Sequence, residues 1–382
     1  MLITAQIVTQ EDVISPGWVR VENGTITEIG TGGIQADIYA PDMILMPGFI
    51  DLHVHGGNHF EAMDGTPHAL KELSAFYARH GVTGFLPTTW TAARAPITNA
   101  LKNIANLIDQ ALNGATILGA HVEGPYISPK RPGAQNPGDI RPADQTEFEE
   151  WLATGSIRLI TIAPEIPANR ELIAYCLEQG ITVSAGHTDA TFDEMLTAHG
   201  ITQTTHTFNA MRGLHHREPG TVGAAMLIDD IRCEVIADGV HVNPQMVKLL
   251  YRVKGADRVI LITDAVRGAG LPQGTQYLQD GRTVTVQDAA YLEDGTLAGS
   301  TLTMDVAVRN FQQFTGCSLV ELATCASLTP ARAIHLADRK GSITVGKDAD
   351  LVLVDRAFNV HLTMVGGRVV WHDLNDFTET GR

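Results

Sequence analysis

His53-Val54-His55 closes an apolar run, Met46-Pro47-Gly48-Phe49-Ile50-Asp51-Leu52. In a strand, alternate side chains share a face, so both imidazoles project the same way. Two neutral imidazoles held like this are ready ligands for a divalent metal. The pattern recurs, because further apolar runs end on Glu123, His187, His206, Asp238 and Asp264. Ionisable groups at the ends of apolar strands are costly unless paired or metal-bound. A lone strand-end His is more often a hydrogen-bonded structural residue. A whole series in chain order, converging on one volume, is not explained by packing and reads as one metal site.

The chemistry of the set is consistent. Glu123 can bind a metal by one oxygen or bridge two ions, and His187 and His206 offer neutral nitrogen. Such a shell leaves a position open for water, which then deprotonates near neutral pH. Asp264 is the natural general base for that water and can return the proton to a leaving group. Its alternative is a structural carboxylate capping the next helix, which Thr263-Asp264-Ala265 permits, but the site would then lack a base. His121, two residues before Glu123, should face the same way one layer deeper, as a packed and hydrogen-bonded histidine. His59, His80, His199 and His372 have no supporting context and receive no role.

These side chains need a scaffold. Strand-like runs at 49–55, 84–88, 117–123, 157–163, 182–187, 204–207, 234–238 and 259–264 alternate with helix-like stretches that include 69–80, 97–112, 169–179 and 244–253. That alternation predicts an α/β fold, a (β/α)8 TIM-like barrel, with its site at the carboxyl ends of the strands. Both chain ends look different. Asn23-Gly24 between alternating runs is a hairpin signal, and Gly366-Gly367 punctuates the C-terminal strands. The expectation is a small β-sandwich domain built from residues 1–46 and 345–382, beside a barrel of residues 47–344.

The formal net charge of −16 over 382 residues argues against nucleic-acid or anionic-membrane partners. A small anionic substrate stays open, since a few placed Arg or His residues can hold a phosphate. Cys176, Cys233, Cys317 and Cys325 form no CxxC pair and read as free buried thiols in a reducing compartment. The N-terminal residues lack a signal-like pattern, and no stretch approaches ~20 uninterrupted apolar residues. The expected location is cytoplasmic.

The chain also carries His121-Val122-Glu123-Gly124-Pro125-Tyr126, Ser184-Ala185-Gly186-His187, Thr205-His206-Thr207-Phe208-Asn209-Ala210-Met211, His215-His216-Arg217-Glu218-Pro219-Gly220, Ile236-Ala237-Asp238-Gly239-Val240-His241 and Leu297-Ala298-Gly299-Ser300-Thr301-Leu302. With the HxH run and Ile262-Thr263-Asp264-Ala265, these strings resemble the amidohydrolase superfamily and, within it, the N-acetylglucosamine-6-phosphate deacetylase family. The HxH alone points only to the superfamily.

The resemblance implies a homodimer that deacetylates an amino-sugar 6-phosphate. It implies Glu123, His187 and His206 as main metal ligands, Asp264 as acid/base, and Asn209, the Ala210 backbone, Arg217 and His241 as contacts to sugar and phosphate. Part of the phosphate clamp comes from the neighbouring subunit in relatives, which would place Arg217 across a dimer interface. The expected cofactor is one or two divalent ions, zinc by preference, with iron, cobalt or manganese as alternatives.

Two departures stand out. Some relatives replace the HxH pair and use one metal; here His53 and His55 both remain, which allows a second ion bridged by Glu123. Other relatives use a His to polarise the acetyl carbonyl where this chain has Gln135, which can donate a hydrogen bond but cannot become cationic. The competing substrates are N-acetylgalactosamine 6-phosphate and, further away, another amide of the superfamily. A non-catalytic sugar-phosphate binder is the rival of another class, and it would lack a ligand or the base.

Overall fold

The structure is a computed structural model that describes residues 1–374, so residues 375–382 of the expected C-terminal segment lie outside the described residues. Eight parallel strands form the barrel: Phe49–Val54, Val82–Thr89, Ala120–Glu123, Ile157–Ile162, Thr182–Ala185, Ile201–Thr204, Arg232–Ile236 and Val259–Ile262. The first and last meet through a parallel bridge, Val54 to Ala265, and the Asp264 N–H donates to the His53 carbonyl at 2.9 Å. Below this seam the buried Asp51 carboxylate accepts the Thr263 hydroxyl at 2.6 Å.

An α-helix follows each strand: Pro67–Arg79, Arg94–Ala105, Gln145–Leu152, Pro167–Glu178, Phe192–Thr197, Gly220–Leu227, Pro244–Lys254 and Met304–Thr315. Their starts follow local chemistry. Thr66 accepts the Ala69 N–H with Pro67 at the first helical position, and Asn243 accepts the Gln245 N–H ahead of Pro244. Both strand faces are buried, between side chains of the barrel interior and the outer helices.

Three details depart from the sequence pattern. The second helix ends at Ala105 rather than 112, because Asn106 begins a turn and Asp109 adopts a left-handed φ of 57°. The sixth strand is Ile201–Thr204, not 204–207, because the chain turns sharply at His206. A three-stranded antiparallel sheet, Gln276–Gln279, Arg282–Val286 and Ala290–Leu292, follows the last barrel strand and has no counterpart among the predicted elements. Arg282 ties it to the Ala134 carbonyl at 2.7 Å.

The two chain ends do join. One seven-stranded sheet runs, in spatial order, Arg368–His372, Val360–Val365, Leu351–Val354, Ile38–Pro47, Leu2–Val8, Val13–Glu22 and Thr25–Thr31. Ile38–Pro47 is the join, antiparallel to Leu351–Val354 and parallel to Leu2–Val8. Asn23 and Gly24 have φ of 49° and 81°, the doubly positive pair that a tight hairpin turn requires. This sheet has its own core, which packs Ile3, Ile7 and Ile26 with Leu351, Leu362 and Met364. The chain ends thus form the expected small β domain, its strands paired in one continuous sheet with a shared apolar core.

Candidate active site

The barrel brings the strand-end residues together. His53 comes from the first strand and His55 from just past it, Glu123 from the third, and His187, His206 and Asp264 from just past the fifth, sixth and eighth. The last three have positive φ, at 47°, 32° and 50°. Non-glycine residues held there cost about 1–3 kcal/mol each. Three such residues side by side mark a place where geometry is kept at the expense of stability.

Four imidazole Nε2 atoms converge on the Glu123 carboxylate. His187 and His206 approach Oε1 at 3.2 and 3.0 Å, His53 approaches Oε1 at 3.5 Å, and His55 approaches Oε2 at 3.3 Å. The Nε2 atoms of His53 and His55 lie 3.3 Å apart, and those of His187 and His206 lie 3.2 Å apart. Asp264 Oδ1 closes the group at 3.4 Å from His53 and 3.3 Å from His55. Around an ion with bonds of about 2.0–2.1 Å, tetrahedral ligand atoms sit roughly 3.3 Å from one another. The spacings fit that edge length.

The outer nitrogens agree. Nδ1 of His53 faces Glu234 Oε2 at 3.2 Å, that of His55 faces the Thr88 carbonyl at 3.3 Å, and that of His187 faces the Arg131 carbonyl at 3.0 Å. Carbonyl and carboxylate oxygens accept, so each Nδ1 carries its proton and leaves the Nε2 lone pair aimed inward. These residues form two potential ligand groups, His53–His55–Glu123 and Glu123–His187–His206, with Glu123 common to both.

Electrostatics point the same way. Burial opposes a charge on His53 and His55, yet Glu123 and Asp264 hold His53 well above the usual imidazole range and His55 up at about 9. Burial would raise the carboxyls, yet His53 and its neighbours hold Glu123 well below its ordinary value and Asp264 at about 2. Two buried carboxylates ringed by imidazoles favour positive charge among them, whether as protons on the rings or as a bound cation. His121 is different: burial and the His53 charge keep it neutral, and it packs against Thr161 Oγ1 at 2.7 Å. It is the packed barrel histidine that its position predicts.

The cleft above this cluster is lined by His55, Glu123, His187, His206 and Asp264, together with Asn209, Ala210, His241 and Gln135. Asp238 orients His241: its Oδ2 faces His241 Nδ1 at 2.6 Å, and its Oδ1 accepts the Val240 and His241 N–H groups at 2.8 Å. Burial opposes a charge on His241, but Asp238 raises its pKa, which suits it to an anionic group. Gln135 donates to Glu123 Oε2 at 2.7 Å and accepts the Thr91 N–H at 2.7 Å. One of its amide protons therefore serves the Glu123 carboxylate. Arg217 is the exception among the expected residues. It is exposed, its guanidinium rests on His216 at 2.8 Å, and it does not line this cleft.

Several contributors escaped sequence reasoning. Trp90, Gln279 and Asp280 form part of the cleft wall. Glu234 lies fully buried beneath the ligands. An acid inside the apolar run Cys233-Glu234-Val235-Ile236 was the available signal.

A closed parallel barrel with imidazoles and carboxylates gathered at its strand ends defines a class of enzymes built to hold a divalent metal. Residues 44–370 match the model of the Amidohydrolase family. The chain is 41% identical over 380 residues to an N-acetylglucosamine-6-phosphate deacetylase of Bacillus subtilis, covering 96% of this chain and 95% of that protein. It is 36% identical to an N-acetylgalactosamine-6-phosphate deacetylase of Escherichia coli O157:H7, with coverage of 97% and 98%. A variant N-acetyl-D-glucosamine-6-phosphate deacetylase from Mycobacterium smegmatis, solved with N-acetyl-D-glucosamine-6-phosphate, superposes with a TM-score of 0.91 at 32% identity, covering 97% of this chain and 99% of that one. The chain therefore belongs to the amidohydrolase family and, within it, to the N-acetylglucosamine-6-phosphate deacetylase family. Among the described residues no helix is long and apolar enough to cross a membrane.

Proposed function

We propose that this protein hydrolyses the acetamide of N-acetylglucosamine 6-phosphate, giving glucosamine 6-phosphate and acetate. The observation that carries the reading is the Glu123 carboxylate shared by two imidazole pairs, with Asp264 on the cleft floor beside them. His53, His55, Glu123, His187 and His206 are the ligands, for zinc by preference and for one or two ions. When bound, a divalent ion there supplies Lewis acidity: it makes water nucleophilic near neutral pH and takes up negative charge on a carbonyl oxygen.

The residues of the chain do the rest. Asp264, ionised at neutral pH with its carboxyl at about 2, accepts the proton of the attacking water. It then donates that proton to the amine as the C–N bond breaks. Gln135 holds Glu123 in place, and its second amide proton is free to meet the acetyl oxygen. Asn209, the Ala210 backbone and His241 receive the sugar and its phosphate from the cleft wall.

Arg217 completes the phosphate clamp from a second copy of the chain, in a cytoplasmic homodimer. Its exposure on the 213–217 loop, outside its own cleft, supports this placement. The four free, buried cysteines suit a reducing compartment. In this reading residues 47–344 are the catalytic barrel, and residues 1–46 with the described residues 345–374 form the supporting β domain.

Arg217→Met should raise KM for the phosphorylated sugar and leave kcat largely unchanged. One lost charge-assisted contact of about 1.5–3 kcal/mol corresponds to roughly 10–150-fold in kcat/KM. Turnover of unphosphorylated N-acetylglucosamine should not change. Steady-state kinetics on both sugars check this, and an equal loss on both would remove Arg217 from the phosphate. The same chemistry on N-acetylgalactosamine 6-phosphate is the second reading, favoured by the match to the E. coli O157:H7 relative along nearly all of both chains. Acetate release from the two epimers compared directly decides between them.

A further inference from the structure

We propose that Glu234 is a positioning residue that holds His53 in ligand geometry and locks the first-strand pair to the His206 side of the site. It rests on the metal reading of the cluster given above.

Glu234 lies in the seventh barrel strand, 0% exposed, below the ligands and away from the cleft lining. Its Oε2 lies 3.2 Å from His53 Nδ1 and 3.1 Å from the His206 backbone N–H. Its Oε1 accepts the Gln203 amide at 2.6 Å. Its backbone carbonyl accepts the Thr207 N–H at 2.8 Å. One residue thus grips a ligand of the first group by its ring and a ligand of the second by its backbone. The second grip falls where it is needed, since His206 holds a left-handed φ of 32° and its Nδ1 is buried without a hydrogen-bond partner among the described residues.

All the groups around the Glu234 carboxylate can donate, and a carboxylate that only accepts is the species they fit. A buried charge is costly and unpaired polar groups are avoided, so a residue that only packs would not be acidic here. The choice of partner also distinguishes His53 from its neighbours. His55 and His187 give their Nδ1 protons to backbone carbonyls, whereas His53 gives its proton to a carboxylate. A carboxylate partner fixes the tautomer, fixes the ring plane and raises the basicity of the inward nitrogen. The His53–His55–Glu123 group therefore depends on Glu234 more than the Glu123–His187–His206 group does.

The test uses the full chain, stripped with a chelator. Zn2+ is titrated by calorimetry, and Co2+ loading is followed by visible absorption, for wild type, Glu234→Gln and Gln203→Leu. Wild type should show two classes of site. Glu234→Gln should weaken one class by roughly 10–100-fold and alter its Co2+ spectrum, while the other class keeps its affinity. Gln203→Leu retains the charge but frees Oε1, so it should weaken the same class by a smaller factor, and it carries the test alone if Glu234→Gln does not fold. Unchanged Zn2+ affinity and Co2+ spectrum alongside a lowered melting temperature would overturn the proposal and leave Glu234 purely structural. Equal weakening of both classes, or a wild type that takes up a single ion, would overturn it too. A wild type that binds no ion at all would also bring down the metal reading beneath it.

Discussion

Asp264→Asn should abolish turnover while leaving metal content intact. Asn keeps the shape of the side chain but cannot accept the water proton at neutral pH. Positioned acid–base groups contribute about 10²–10⁴-fold, and in the proposed reaction Asp264 serves both halves, so a loss at or above the upper end is expected. The structure explains why metal should stay. Asp264 Oδ1 touches only the His53 and His55 edge of the cluster, while Glu123, His187 and His206 meet independently of it. Metal analysis and acetate release on one preparation check both halves of the expectation. Near-wild-type turnover would remove Asp264 from the acid–base role; loss of metal together with activity would recast it as a ligand.

Glu123→Gln is expected to be as severe for a different reason. Glu123 is the single carboxylate common to both ligand groups, so its anionic charge serves all four imidazoles at once. The amide is similar in size and neutral. Metal content should fall sharply at both groups. The charge stabilisation forfeited in the reaction, about 4 kcal/mol, corresponds to roughly 10³-fold in rate. Excess Zn2+ should not restore activity. Full metal content in this variant, measured after gel filtration, would contradict the shared-ligand account.

The site was legible in the sequence to the extent that strand ends are. His53, His55, Glu123 and Asp264 stand out because an ionisable residue at the end of an apolar run has few inexpensive explanations. The hairpin at Asn23-Gly24 was legible because few residues tolerate two positive φ values in a row. Other features depend on partners far along the chain. Glu234 gains its meaning from His53, which is 181 residues away in sequence. The small sheet at 276–292 is built from short runs such as Gln276–Gln279, with too few residues to show a period. The sixth strand was misplaced for a related reason. Thr204-Thr205-His206-Thr207 has strand-like composition throughout, and nothing local announces that His206 turns out of the sheet to meet Glu123. Arg217 is the remaining gap: the family resemblance implied a phosphate contact, and in a single chain it is exposed and outside the cleft lining.

The most direct measurement is acetate release from N-acetylglucosamine 6-phosphate and N-acetylgalactosamine 6-phosphate side by side, with metal content determined on the same protein. The account predicts metal-dependent turnover that is lost on chelation and restored by a divalent ion, with the higher kcat/KM on the glucosamine epimer. A higher value on the galactosamine epimer would keep the mechanism and change the substrate. No acetate from either sugar, with the metal sites filled, would contradict the deacetylase reading outright.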